Sequence, residues 1–138
     1  ASRRGFAARS FRDGEGLQVE PWLSRLDDFA RHGWLSRAGD LRAGPVVRQR
    51  NDPMGRWQAS ELADHDALAS EERAALDREL ARTGEALAEA GYHGPFGIDA
   101  FRYARADGHT GFQPRSEINA RFTMGYPRAL LDAALSSE

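Results

Sequence analysis

The stretch Gly91-Tyr-His-Gly-Pro-Phe-Gly-Ile-Asp99-Ala-Phe101, continued after a turn by Pro114-Arg-Ser-Glu117-Ile-Asn119-Ala-Arg121-Phe-Thr123, decides how the rest of the chain is read. Between its halves stands Arg105-Ala-Asp107-Gly108-His109, and an Asp-Gly pair flanked by apolar runs is a strong hairpin signal. Strands are expected over Phe96 to Tyr103 and Thr110 to Phe122. Side chains alternate along a strand, which puts Arg115, Glu117, Asn119 and Arg121 on one face and Ser116, Ile118, Ala120 and Phe122 on the other. The turn then decides what faces Asp99. A loop of Asp107-Gly108-His109 sets Asp99 opposite Glu117, whereas a loop of Asp107-Gly108 alone sets it opposite Ser116 and splits the carboxylates between two faces. The odd loop, or a bulge near Pro114, is what brings them together.

Upstream of this hairpin, Ser70 followed by Glu71 and Glu72 reads as a helix start with acidic residues where the macrodipole favours them. Leu76, Leu80, Leu87 and Ala90 recur at helical spacing and Gly91 ends the run. Before the helix, Asp28 to Ser36 and Leu41 to Arg50 read as strands joined by an Ala38-Gly39-Asp40 turn. Asn51-Asp-Pro-Met-Gly55 is a second turn, followed by a short strand Arg56-Trp57-Gln58. Alternating Leu17 and Val19 predict a strand over Leu17 to Leu23, confined to an edge by Pro21. Pro127 can open a short last helix, Arg128 to Leu135. Residues 1–16 carry four Arg and little apolar content, and read as a flexible N-terminal edge. Strands, a long helix, a hairpin and a short helix without βαβ alternation predict an α+β fold with an antiparallel sheet.

Composition excludes several function classes. The chain has 138 residues, 41% of them hydrophobic and 29% charged, with a formal net charge of -2. That balance argues against a general binder of nucleic-acid backbone, which needs excess positive charge. No apolar run approaches a membrane span and no signal-peptide pattern opens the chain, so a cytoplasmic protein is expected. With no Cys there is no disulfide, thiolate ligand or thiol nucleophile. All 19 basic residues are Arg, and Lys is absent.

The chemistry is concentrated in the hairpin. Two facing carboxylates repel and raise each other's pKa unless a cation lies between them. Asp, Glu and the amide oxygen of Asn are ligands that suit Mg²⁺, which typically takes one or two carboxylates plus substrate phosphates. Arg121 would add a fixed cationic fork for a phosphate or oxyanion. A solvated strand face shows the same alternation, so spacing alone does not choose between the two. Arg48 and Arg50 alternate onto one face and can hold phosphate or a substrate carboxylate, or simply face water.

Glu117-Ile-Asn119-Ala-Arg121, preceded by a helix, the Gly91-Tyr-His-Gly turn and Gly97-Ile-Asp99, resembles the C-terminal metal- and phosphate-binding hairpin of ATP-grasp enzymes. These are carboxylate-amine or carboxylate-thiol ligases. The resemblance implies Asp99, Glu117 and Asn119 as ligands of the Mg²⁺ (or Mn²⁺) that bridges ATP phosphates, and Arg121 as the catalytic residue acting on the carboxylate or acyl-phosphate. Val19-Glu20-Pro21-Trp22-Leu23 is similar to the family's hinge strand, which implies Glu20 and Trp22 at the nucleotide. Residues 17–138 would then be the C-terminal subdomain of an ATP-grasp unit, and the chain a fragment of a larger enzyme. Its partners would be ATP, a carboxylate substrate, an amine or thiol acceptor and the missing N-terminal part of the same protein. Family members also use Lys on the ATP phosphates; its absence makes the isolated chain an expected non-catalyst. It also motivates the alternative of a non-catalytic nucleotide-binding or interaction module.

The remaining candidates read as structural. His32, His65, His93 and His109 are scattered, with no helical zinc spacing, and His93 is nearest to the hairpin. Ser116 lacks a nucleophile elbow, and Gly94, Gly97 and Gly108 form no phosphate-cradling loop. Trp34 and Trp57 are expected in the core.

Overall fold

The computed structural model describes residues 3–12, 14, 16–17, 19–52 and 54–127. Its elements are α1 (Arg3–Arg12), β1 (Ser24–Leu35), β2 (Leu41–Asn51), β3 (Trp57–Leu62), α2 (Ser70–Glu89), β4 (Gly94–Ala104) and β5 (Thr110–Asn119). The strands form one sheet in the order β3-β2-β1-β4-β5, with every neighbouring pair antiparallel. This is the expected α+β architecture of an antiparallel sheet with one long and one short helix, though the helices are not both where the sequence reading put them.

Helix α2 covers one face of the sheet. Its Leu76 and Leu80 meet Phe29 and Leu35 of β1, Val46 of β2 and Phe96, Ile98 and Ala100 of β4 in a single core. Gly84 lets the helix come close: a Cβ there would already lie 3.5 Å from both Leu41 and Phe96. The helix ends as its sequence requires. Gly91 has φ 79°, Gly91 N donates to Ala88 O, and Tyr92 N donates to Leu87 O at 2.9 Å, the paired bonds of a glycine-closed helix end.

The N-terminus of α2 departs from expectation by one residue. Ala69, not Ser70, occupies the N-cap, and its N–H donates to the Glu72 carboxylate at 2.9 Å. Glu72 is also the acceptor for Arg102 of β4, whose guanidinium reaches on to Asp27 at 2.9 Å and to the Ala67 carbonyl. The Arg102 hydrogen bond holds the Glu72 carboxyl below its ordinary range. Glu72 thus secures both helix start and sheet. Glu72→Ala should cost about 2 kcal/mol, the sum of a lost cap and charge-assisted bonds, read as a lower urea midpoint with unchanged slope.

Four expectations are corrected. Residues 19–23 form no strand, and Pro21 among them has no N–H to give a ladder. Residues 3–12 are helical rather than a loop; Ala and Arg are strong helix formers, and Arg9 and Arg12 stand in the last turn, where the dipole favours cations. Trp34 and Trp57 are exposed at 43% and 40%, not core residues. Arg115 does not share the face of Glu117; it turns to the helix side and pairs with Glu79 of α2 at 3.5 Å. The last helix expected over Arg128 to Leu135 lies outside the described residues.

Candidate functional site

The face of the sheet away from α2 carries the site, and strand irregularities decide what stands on it. Near the turn, β4 and β5 pair as Ala104↔Thr110, Tyr103↔Gly111, Arg102↔Phe112 and Phe101↔Gln113. Continued unbroken, that register would set Asp99 opposite Arg115. Instead Pro114, Arg115 and Ser116 together lie across from Ala100, and the ladder resumes as Asp99↔Glu117, Ile98↔Ile118 and Gly97↔Asn119. Such a bulge re-aims side chains and is common beside active sites. Ser116 Oγ fastens it by donating to the Asp99 carbonyl at 3.1 Å. A proline within the strand is tolerated there because the ladder is already interrupted. The bulge near Pro114 is therefore the device that makes the two carboxylates face each other.

A hydrogen-bonded row runs across the strands from this pair. Gln49 of β2 donates its side-chain N–H to Asp99 Oδ1 at 3.0 Å. Asn119 of β5 donates to Asp99 Oδ2 at 3.2 Å, and Arg121 donates to Asn119 Oδ1 at 3.1 Å. Exposure grades along it, from buried Asn119 through half-buried Asp99 to exposed Glu117 and Arg121. Burial pushes the Asp99 carboxyl up, Glu117 and Asp28 add repulsion in the same sense, and the amides of Gln49 and Asn119 pull it partly back. Among the described residues no cationic side chain pairs with either Asp99 or Glu117. Half-buried Asp99 thus faces a second, exposed carboxylate with no side-chain cation between them, which is the electrostatic setting a divalent cation relieves.

The donor set suits a hard cation in chemistry: two carboxylates and one amide oxygen, with room for phosphate ligands. Among the described residues no group of three His, Cys, Asp or Glu side chains gathers as a metal cluster, and the further oxygen beside the carboxylates belongs to the Asn119 amide. As placed, Asn119 turns its NH₂ to Asp99 and its oxygen to Arg121. Rotation of that amide would exchange the two, presenting the oxygen beside Asp99 and freeing Arg121.

The residues assigned to the nucleotide gather elsewhere. Glu20, Trp22, Arg48 and Arg50 all line an open hollow of about 1060 Å³, with Asp27, Asp28, Gln49 and Phe101. Trp22 is fully exposed, a free ring against which a flat base could stack. Arg48 and Arg50 share one face as expected, but it is the face opposite Gln49 and Asp99. There Arg48 pairs with Asp27 and Arg50 with Glu61 at 2.9 Å. The sequence reading overlooked Gln49, which lines the hollow and hydrogen-bonds Asp99. The signal was available, since alternation in Val47-Arg48-Gln49-Arg50 places Gln49 on the face the arginines leave.

After β5 the chain crosses the same open face. Trp34 of β1 tilts against Phe122, and Phe122 packs edge-on to Tyr126 at 5.0 Å between centroids. His32 of β1 lies beneath, buried, its Nε2 hydrogen-bonded to Thr123 Oγ1 at 2.7 Å. Its ring is clamped between two glycines: a Cβ on Gly97 would approach it to 3.0 Å and one on Gly125 to 2.9 Å. The clamp fixes the segment that carries Arg121. His65, His93 and His109 are exposed and take no part.

No protein-family model and no curated protein matches the sequence. Solved structures do. N5-carboxyaminoimidazole ribonucleotide synthetase from Thermus thermophilus superposes with a TM-score of 0.53 at 17% identity, over 89% of this chain and 31% of that one. Rhizobium etli pyruvate carboxylase, the T882A variant with the allosteric activator acetyl coenzyme-A, superposes with a TM-score of 0.51 at 18% identity, over 88% of this chain and 12% of that one. This chain therefore spans a third or less of each of these two solved chains. Two enzymes of different names share this one arrangement of sheet and helix, so what the likeness shows is the fold, which is similar to that of the C-terminal region of an ATP-grasp unit.

Proposed function

We propose that this chain supplies the Mg²⁺-ATP-holding sheet of an ATP-dependent carboxylate-amine or carboxylate-thiol ligase that works through an acyl-phosphate. The observation that carries the reading is the bulge at Pro114–Ser116, which sets Asp99 opposite Glu117 with Asn119 and Arg121 in series. A strand face built only to meet water has no need of a facing pair of carboxylates. The fold likeness adds support, because solved enzymes present the same sheet.

Asp99, Glu117 and, after amide rotation, Asn119 would hold Mg²⁺, which when bound neutralises phosphate charge. Phosphoryl transfer is chiefly positioning and charge stabilisation. Arg121, freed from Asn119, would direct its guanidinium at negative charge developing on the transferred phosphoryl group or acyl oxygen. Glu20 and Trp22 would hold the nucleotide end in the hollow, and Arg48 and Arg50 would border it while tied to their carboxylates. The chain spans only part of its structural neighbours, and an N-terminal partner region of the same protein would complete the substrate site. Absence of Lys favours one second reading, a nucleotide-binding module that does not turn ATP over.

Calorimetric titration of the chain with ATP tests the shared core of both readings. Binding is expected only when Mg²⁺ accompanies the nucleotide, and Asp99→Asn should remove the Mg²⁺-dependent heat. Equal binding with and without Mg²⁺, or an unchanged Mg²⁺ effect in Asp99→Asn, contradicts the assignment.

A further inference from the structure

Every side chain that contacts Asp99 bears on its readiness for a cation, and Gln49 does so on the same face from two strands away. It stands on β2, with β1 between it and β4, and spans that strand to reach Asp99 Oδ1 at 3.0 Å. The interposed position is Ala30, which pairs with both Val47 and Asp99 and is too small to obstruct the reach.

The arrangement of β2 explains why a neutral amide does this. Arg48 and Arg50 flank Gln49 in sequence, yet strand alternation turns both to the other face, where Asp27 and Glu61 hold them. A guanidinium at the position of Gln49 would neutralise Asp99 and repel a metal ion. The carboxamide instead donates one hydrogen bond, fixes the carboxylate plane and leaves its negative charge intact. Asn119 cannot fill this role during ligation, since its amide must rotate away as its oxygen becomes a ligand. Asn119 would then release Asp99 Oδ2 to the cation, and Gln49 on Oδ1 would be the amide that still holds the carboxylate.

We infer that Gln49 is a positioning residue for the cation site: its carboxamide orients Asp99 for metal ligation and joins that carboxylate to the nucleotide hollow that Gln49 also lines. The inference rests on the proposed metal site and goes beyond it, because neither the hairpin motif nor the fold assigns a residue of β2 to the metal. Residues that orient metal ligands by hydrogen bonding typically change affinity by 10–100-fold when removed.

The test is a Mn²⁺ titration, followed by electron paramagnetic resonance, of the unmodified chain and of Gln49→Met, Gln49→Ala and Glu117→Gln, with thermal melts of each without metal. Met keeps the length of Gln without its donor, and Ala removes both, so a folded variant is available if one packs poorly. Both Gln49 variants should weaken Mn²⁺ binding about tenfold, with melting temperatures close to that of the unmodified chain. Mn²⁺ affinity unchanged in a folded Gln49 variant, while Glu117→Gln loses it, overturns the role of Gln49 and leaves the metal site standing. No Mn²⁺ binding by the unmodified chain, or equal binding by Glu117→Gln, overturns both.

Discussion

Glu117→Gln should weaken divalent-cation binding by a factor of about 100 and leave the metal-free protein as stable as before, or slightly more so. The two effects have one cause. Glu117 is exposed and faces Asp99 across the bulged ladder, where it helps push the Asp99 carboxyl above its ordinary range. Removing one of two like charges relieves that repulsion, worth about 0–1 kcal/mol for a group open to water. The same substitution removes a negative oxygen ligand, and losing one from so small a set is costly for a hard cation. A residue kept for packing would behave in the opposite way, with stability falling and cation affinity untouched. Parallel urea unfolding and Mn²⁺ titration separate the two. A stability loss above about 2 kcal/mol with unchanged affinity would show that Glu117 is structural.

The second large effect is one of pH on stability. His32 is 2% exposed, and burial lowers its pKa from 6.5 to about 4. Its Nδ1 has no hydrogen-bond partner among the described residues, so no carboxylate stands ready to receive an imidazolium. In the unfolded chain the ring takes up its proton near pH 6.5, whereas in the folded chain it resists until about pH 4. Across that window the unfolded state binds more protons, and stability rises with pH. The contribution is complete above about pH 6.5 and is lost as pH falls towards 4, a change of about 3 kcal/mol.

Asp99 works in the other sense, since a carboxyl with a raised pKa in the folded state costs stability as pH rises past its ordinary range. The His32 contribution is therefore isolated by comparison with His32→Gln, which keeps a polar atom for Thr123 and does not titrate. The variant should lose most of the slope between pH 4 and 6.5 in urea unfolding. A slope equal to that of the unmodified chain would show that His32 is solvated. Because His32 anchors Thr123 and packs on Tyr126, acidification should also loosen the segment leading back to Arg121.

Local chemistry made much of this fold legible in the sequence. The α2 helix carries its own period in Leu76, Leu80 and Leu87 and its own stop in Gly91, and the Asp-Gly turn marks the β4–β5 hairpin. The facing carboxylates were legible as a condition: given an odd loop or a bulge, Asp99 meets Glu117. Which device satisfied it was not legible, because the bulge is held by contacts that alternation does not report, Ser116 to the Asp99 carbonyl within the hairpin and Arg115 to Glu79 on α2.

The misreadings share a cause as well. Leu17 and Val19 alternate as a strand would, but a strand also needs ladder hydrogen bonds, and Pro21 withholds one of the donors. Trp34 and Trp57 are large enough to belong to a core, yet Trp34 lies on the face away from α2 and Trp57 opens the edge strand β3. At Arg48 and Arg50, charge drew the functional reading towards residues whose charges are already met by Asp27 and Glu61. The neutral residue between them makes the contact to Asp99. Periodicity reports which face a residue takes, and only the assembled sheet reports what waits there.

The central claim is that Asp99, Glu117 and Asn119 form one cation site, and paramagnetic broadening tests it most directly. Trace Mn²⁺ added to isotopically labelled chain should broaden the resonances of Asp99, Glu117 and the Asn119 side-chain amide first, with Gln49 and Arg121 next. Broadening spread evenly over exposed carboxylates such as Asp64, Asp66 and Glu85, with Asn119 unaffected, would contradict it.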